Sequence, residues 1–332
     1  MKICVLGSGA WGTALAAVLA KNGHETTLWS RSPAAAEAMQ KSRRNPRLEG
    51  VALPETLQYS ADLSCARGCE LAVFAVPSVS IRAVAREAAP FLGVALPVSV
   101  AKGIENDTVL RLSQVITAET GLDCAVLSGP SHAEEVGRDI PTGCVAAAVR
   151  QEQAERVQDA FMNPAFRIYT SPDVVGVELG GALKNVYALC AGICDGLGLG
   201  DNTKALLMTR GMTEMARLGL ALGARQETFA GLAGIGDLIV TCTSMHSRNR
   251  RAGILIGQGR TAGEAMEQVG AVVEGYYAAS SGYQLCRKAG VEMPILEQAH
   301  ALLYEGRDPR TVADGLMRRK RKNEAEDAGW TK

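Results

Sequence analysis

The sequence has no net charge, no long apolar run, no paired-cysteine motif and no histidine cluster. Its 35 basic residues balance 35 acidic ones, so no global field draws it to nucleic acid or to an anionic membrane. No stretch of about 18 apolar residues runs free of polar breaks, which argues against integral membrane association. The chain starts MKICVLG, a strand-like run that leaves no room for a signal peptide, and the expectation is a cytoplasmic protein. Nine cysteines, an odd number among 332 residues, read as reduced thiols and mostly as small core residues. Cys65 with Cys69 and Cys190 with Cys194 stand at i,i+4 spacing. No CxxC completes a metal set with them, and His24, His132, His246 and His300 lie far apart, so no metal is expected.

What remains is a globular composition, 47% hydrophobic and 21% charged, on a chain long enough for about two domains. The first half alternates short apolar, β-branched runs (2–7, 24–29, 71–76, 97–101 and 124–128) with helical stretches such as 10–22 and 79–89. Continuous apolar runs suit strands covered on both faces, so the pattern predicts an α/β fold with a doubly wound, mainly parallel sheet. Each strand is followed by loop chemistry, and ligands in open α/β sheets bind outside the carboxyl ends of the strands. YTSPD (169–173) marks the boundary, with Ser171 as N-cap and Pro172 as first helical residue. Beyond it, 174–195, 203–222, 261–269, 276–289 and 294–304 read as helices of an all-α C-terminal domain. RRKRK (318–322), followed by NEAEDAGW, reads as a solvated helix end and frayed tail rather than a nucleic-acid patch.

VLGSGAWGTALA carries GxGxxG as Gly7, Gly9 and Gly12, between a strand and a helix, the context that makes this pattern a Rossmann turn. Gly7 permits the tight turn, Gly9 lets the backbone approach a pyrophosphate, and Gly12 allows close helix packing. The helix start at Ala10 and Trp11 presents free N–H groups to phosphates. Residues 1–172 are therefore expected to bind a dinucleotide and 173–332 to form the helical substrate-binding and catalytic domain. An NAD-selective site usually has an acidic residue about 20 positions on; here strand two ends LWSRS. Arg31 is suited to a 2′-phosphate, so NADP(H) is favoured, with NAD(H) open.

Lys102, in VAKGI, stands at the mouth of the same cleft. SGPSHAEE adds the open amide of Gly129 and the hydroxyl of Ser131, which equally suits an N-cap for a helix starting at His132. GLAGIGDLIVTC sets Asp237 among glycines and apolar residues, and the turn at Ser247, Arg248 and Asn249 offers donors for a phosphate monoester. Lys184, followed by Asn185, lies in the apolar helix LGGALKNVYALCAG. Gly180, Gly181, Ala188 and Ala191 share its face, leaving space for a substrate or for a closely packed helix. Burial of its amine lowers the pKa toward the range of proton transfer.

Together GSGAWGTALA, VAKGIE, SGPSHAEE, PTG, GVELGGALKNVYA, GLAGIGDLIVTC and SRNRRAG resemble the soluble, bacterial-type NAD(P)-dependent glycerol-3-phosphate dehydrogenases over nearly the whole chain. The resemblance implies interconversion of sn-glycerol 3-phosphate and dihydroxyacetone phosphate for phospholipid synthesis. Lys184 matches the family's acid/base, with Lys102 supporting it and Asp237 and Asn185 orienting it. By the same likeness Lys102, Gly129, Ser131, Lys184, Asp237, Ser247, Arg248 and Asn249 contact substrate. Trp11, Arg31, Lys102, Ala133, Arg248, Val272 and Glu274 contact cofactor, and the small residues around Lys184 become clearance for the substrate. His132 and Glu134 depart from the family's usual aromatic residue and lysine. The residues alone leave open a two-domain 3-hydroxyacid dehydrogenase, since arginine also binds carboxylates. They do not fix the oligomeric state, and a homodimer is compatible with them.

Overall fold

The computed structural model describes residues 1–321, 323 and 324. Eight strands form one sheet: β1 (Lys2–Leu6), β2 (Glu25–Trp29), β3 (Gln58–Ser60), β4 (Leu71–Phe74), β5 (Leu96–Ser99), β6 (Ala125–Ser128), β7 (Thr142–Ala147) and β8 (Phe166–Ser171). Their order is β3-β2-β1-β4-β5-β6-β7-β8, parallel throughout except where β7 runs antiparallel to β6. The order reverses between β1 and β4, which opens a crevice at the strands' carboxyl ends. Leu6 is in register with Trp29 on one side and Phe74 on the other, so the loops after β1, β2 and β4 leave the sheet at one level.

The apolar strands are covered on both faces by α1 (Ala10–Lys21), α2 (Pro33–Ser42), α3 (Ile81–Leu92), α4 (Leu112–Thr120), α5 (Ala133–Val136) and α6 (Gln151–Phe161). After Ser171 the described chain is helical: α7 (Val174–Leu197), α8 (Gly200–Ala221), α9 (Gln226–Phe229), α10 (Asp237–Thr243), α11 (Arg248–Gly257), α12 (Ala262–Val269), α13 (Glu274–Ala289), α14 (Pro294–Glu305) and α15 (Pro309–Met317). A single π-type turn, Leu232–Gly236, leads into α10.

The helical boundary differs from the sequence expectation. Ser171 ends β8, and Asp173 is the N-cap of α7, its carboxylate accepting from Gly176 N at 2.8 Å. A carboxylate satisfies the first-turn amides that the expected Ser171 would have served. The same carboxylate accepts from Arg225 N and Thr228 Oγ1, fixing α9 against the start of α7.

α7 is the axis of the helical part, packed by α8, α10, α11 and α13. By length and composition it is apolar enough to cross a membrane, despite the polar breaks at Glu178 and Lys184; yet 89% of its most apolar window is buried inside the protein. A helix apolar on all sides and enclosed by its own chain is a core helix. Its polar residues are all partnered. Glu178 accepts from Arg111 Nη1 at 2.5 Å and from Ser113 N at 2.8 Å, tying α7 to α4 beside the sheet. Tyr187 donates to Glu214, which also receives Ile295 N at the start of α14. Arg318 caps α15 and residues 318–321 are exposed; Lys322 and 325–330, the rest of the basic run and most of the tail, lie outside the described residues.

Candidate active site

Asp237, fully buried at the start of α10, receives both candidate lysines. Lys184, from the middle of α7, donates to Oδ1, and Lys102, from the loop after β5, donates to Oδ2 at 2.7 Å. One carboxylate therefore joins the carboxyl edge of the sheet to the axial helix, and it leaves a net positive charge. Lys184 is 5% exposed. Burial pushes its pKa down to about 7, against the opposing pull of Asp237, and the Lys102 charge lowers it further.

An ammonium has three N–H donors. Lys184 commits one to Asp237 and one to Thr241 Oγ1 at 2.7 Å; Lys102 commits one to Asp237 and one to the Gly129 carbonyl at 2.8 Å. Each lysine keeps one donor, and the shared carboxylate holds the two together. Ser131 Oγ donates to the same Gly129 carbonyl at 2.9 Å. Ser131 is thus not a helix cap: His132 is the N-cap and α5 begins at Ala133, with Glu134 in its first turn. The His132 ring lies 5.6 Å from that of His246, its Nε2 buried without a partner. Burial, reinforced by the charge of Lys184, lowers its pKa.

Asn185 does not orient Lys184. Neighbouring helix positions point about 100° apart, so Asn185 faces α11, where its Oδ1 accepts from Asn249 Nδ2 at 2.9 Å. Asn249 Oδ1 in turn accepts from Gly275 N at 2.8 Å, linking α7, α11 and α13. Ser247 is the buried N-cap of α11, its hydroxyl accepting from Arg250 N at 3.2 Å while its own proton remains to donate. Arg248, exposed in the first turn, has no hydrogen bond or ion pair among the described residues. A cationic side chain at a helix N-terminus is a setting for an anion.

The dinucleotide cleft begins at Gly7, whose φ of +127° and a Cβ position 2.7 Å from the Ala75 carbonyl oxygen admit only glycine. A Cβ on Gly9, by contrast, meets nothing within 4 Å, so the face a pyrophosphate needs is open. The indole Nε1 of Trp11 is buried without a partner. Ser8 Oγ donates to Ser30 Oγ at 2.9 Å, which puts a hydroxyl where an acidic residue was absent, and Arg31 beside it is exposed. Asn45 ties the loop down through Ser8 O and Thr13 Oγ1. Val272 is partly buried just before α13. Glu274, opening α13, accepts from Ser78 N at 3.1 Å and Ser78 Oγ at 2.5 Å, so α13 closes on the loop after β4. Burial raises the Glu274 pKa, and the charge of Arg248 opposes that. This open glycine turn at the start of α1, with the exposed Arg31 free of ion pairs among the described residues, fits a dinucleotide phosphate.

The whole chain has relatives with this architecture. Residues 2–154 match the family described as NAD-dependent glycerol-3-phosphate dehydrogenase N-terminus, and residues 173–314 its C-terminus. The chain belongs to the NAD-dependent glycerol-3-phosphate dehydrogenase family. It is 54% identical over 332 residues to the NAD(P)+ glycerol-3-phosphate dehydrogenase of Moorella thermoacetica, covering 99% of both chains. The corresponding enzyme of Pelotomaculum thermopropionicum is 52% identical, with 98% of this chain and 95% of the relative covered. Among solved structures, glycerol-3-phosphate dehydrogenase from Coxiella burnetii superposes with a TM-score of 0.92 at 38% identity, covering 96% of this chain and 99% of that one.

Two features of this glycerol-3-phosphate dehydrogenase fold escaped the sequence reading. Thr241, which receives Lys184, sits four residues after Asp237 on one face of α10; the i,i+4 spacing was the available signal. Asn45 had none, being in an irregular loop. Gly180 and Gly181 beside Lys184 are not substrate clearance: a Cβ on Gly180 would strike the Ala233 carbonyl, and one on Gly181 would lie 2.7 Å from Ser128 Oγ. They let the π-type turn and β6 approach α7, which brings Asp237 within reach of the lysine.

Proposed function

We propose that this chain interconverts sn-glycerol 3-phosphate and dihydroxyacetone phosphate with NAD(P)(H), supplying glycerol 3-phosphate for phospholipid synthesis in the cytoplasm. The observation that carries the reading is the Lys184–Asp237–Lys102 bridge with one uncommitted donor on each lysine. Family membership narrows the activity, since the matched relatives are named glycerol-3-phosphate dehydrogenases along their full length. It disfavours the 3-hydroxyacid alternative.

Residues 1–172 hold the dinucleotide, through the Gly7–Gly12 turn, Trp11, Arg31 and Ala133, with Val272 and Glu274 of the helical part as further contacts. Residues 173–332 carry Lys184 and the phosphate anchor. The bound dinucleotide supplies or accepts the hydride. During ketone reduction, negative charge develops on the C2 oxygen. Lys184 donates its free proton there, and Lys102 donates a hydrogen bond to the same oxygen. Asp237 holds both ammonium groups in place. Ser247, Arg248 and Asn249 bind the phosphate, whose binding energy fixes the carbonyl.

Measuring NADH and NADPH oxidation separately with dihydroxyacetone phosphate tests the reading; turnover on 3-hydroxy acids but not on glycerol 3-phosphate would overturn it. Arg31→Ala should weaken NADPH binding by roughly tenfold, the worth of one charged hydrogen bond, and NADH little. Equal losses for both would remove Arg31 from the 2′-phosphate. Arg248→Ala should raise KM for dihydroxyacetone phosphate by roughly 10–100-fold on the same argument; an unchanged KM would place the phosphate elsewhere.

A further inference from the structure

Three cysteines outside the reaction meet on one face of the sheet. Cys4 lies in the middle of β1 and is completely buried; Cys65 is half-buried in the turn Leu63–Ala66; Cys69 is buried shortly before β4. The sulfurs of Cys4 and Cys65 are 3.4 Å apart, although the residues are 61 positions apart in the chain. Cys69 Sγ donates to the Cys65 carbonyl at 3.5 Å, holding the turn over β1. Since a disulfide is about 2.05 Å long, each sulfur of the Cys4–Cys65 pair needs to move less than about 1 Å.

We propose that Cys65 and Cys4 are an oxidation site, forming a reversible disulfide with hydrogen peroxide while the enzyme keeps its activity. The Cys65 sulfur attacks one peroxide oxygen. An S–O bond forms, the O–O bond breaks, and the departing hydroxide leaves as water with the thiol proton. Cys4 then attacks the Cys65 sulfenic acid: the S–S bond forms, the S–O bond breaks, and the Cys4 proton leaves with the hydroxyl as a second water. Two thiols are oxidised and one peroxide is reduced to two waters. A dithiol reverses the cross-link by exchange.

Accessibility and acidity both favour Cys65 as the attacking group. Its hydrogen bond with Cys4 holds its pKa below the ordinary thiol value, and the same bond raises Cys4. Cys69 is also lowered by Cys4, yet it is only 4% exposed. Burial holds the remaining thiols up, Cys194 and Cys286 to about 11, Cys144 and Cys242 to about 12, and Cys124 and Cys190 higher still. The cross-link would join segments already in contact, on the sheet face packed by Trp29, Phe74 and Ala66. It does not touch Lys184, Asp237 or Lys102.

The test treats the full-length protein with one equivalent of hydrogen peroxide, removes the excess, unfolds the chain in guanidinium chloride with N-ethylmaleimide to label every free thiol, and weighs the intact chain. The expected result is seven labels instead of the nine that the nine cysteines give when reduced. A Cys4–Cys65 cross-link in the peptide map, nine labels after dithiothreitol, and unchanged kcat and KM complete the expectation. Cys65→Ser should keep every remaining thiol, whereas Cys69→Ser should still lose two labels. Nine labels after peroxide, a cross-link mapped to any other pair, or label loss in Cys65→Ser would overturn the site. Activity falling in step with cross-linking would overturn its neutrality.

Discussion

Lys184→Ala should lower kcat by roughly 10²–10⁴-fold, the usual contribution of a positioned general acid, and leave NADPH affinity near that of the parent protein. The cofactor turn and Lys184 stand on different elements, so the substitution removes the proton without touching Gly7 or Trp11. The fold should survive it, because Asp237 keeps Lys102 as its counterion. The pH profile gives a second, independent readout. Burial pushes the Lys184 pKa down to about 7, and the proposed ketone reduction uses the protonated ammonium. Its kcat/KM should therefore fall by about tenfold per pH unit above that value. Alcohol oxidation in the proposed mechanism uses the neutral amine, so its kcat/KM should rise with pH and level off above about 7. Stopped-flow rates in both directions would show the two limbs mirrored in the parent protein and absent from the variant. Retained turnover, or an unchanged profile in Lys184→Ala, would take the acid/base role away from this residue.

Asp237→Asn should do nearly as much damage by a different route. The amide removes the only carboxylate hydrogen-bonded to both lysines among the described residues. Two ammonium groups then face each other in a buried site, and the more buried one, Lys184, sheds its proton first. Breaking a buried ion pair by removing one partner costs about 3–5 kcal/mol, so a lower Tm should accompany a loss of roughly 10²-fold or more in reductive kcat at neutral pH. The distinguishing observation is the pH profile, whose reductive limb should move to lower pH as Lys184 becomes easier to deprotonate. Lost activity with an unmoved limb would mean that Asp237 only supports the fold.

The sequence made β1, β2, β4, β5 and β6 legible because each is an apolar run with turn residues after it. β3 has three residues with none buried, and β7 begins with a partly exposed Thr-Gly pair, so neither carries that pattern. β8 alternates buried and exposed residues at first, a readable signal that was absorbed into the expected boundary. In the helical part, α11 was hidden by its own packing: a Cβ on Gly253 would collide with the Leu189 carbonyl of α7, and the glycine that permits this approach is a poor helix former. At the site, Lys184, Lys102 and Asp237 were legible as ionisable groups in apolar surroundings. The pairing of Asp237 with Lys184 was expected, but the second leg to Lys102 was not, because it joins residues 135 positions apart across the cleft. Asn185 shows the opposite failure. Adjacency in sequence suggested a common task with Lys184, and helical rotation gives it another.

The burial of α7 also sets a demand on how the protein is made. The α7 segment ends at residue 197, but α13, which covers part of it, is complete only at residue 289. At roughly 5–20 residues per second, the nascent chain displays a membrane-like segment for several seconds before its cover exists. During that interval its charged residues, Glu178, Lys184 and Asp195, are what distinguish it from a true transmembrane helix. The residue proposed for proton transfer and the one that tethers α7 to α4 would first help keep the unfinished chain out of the bilayer.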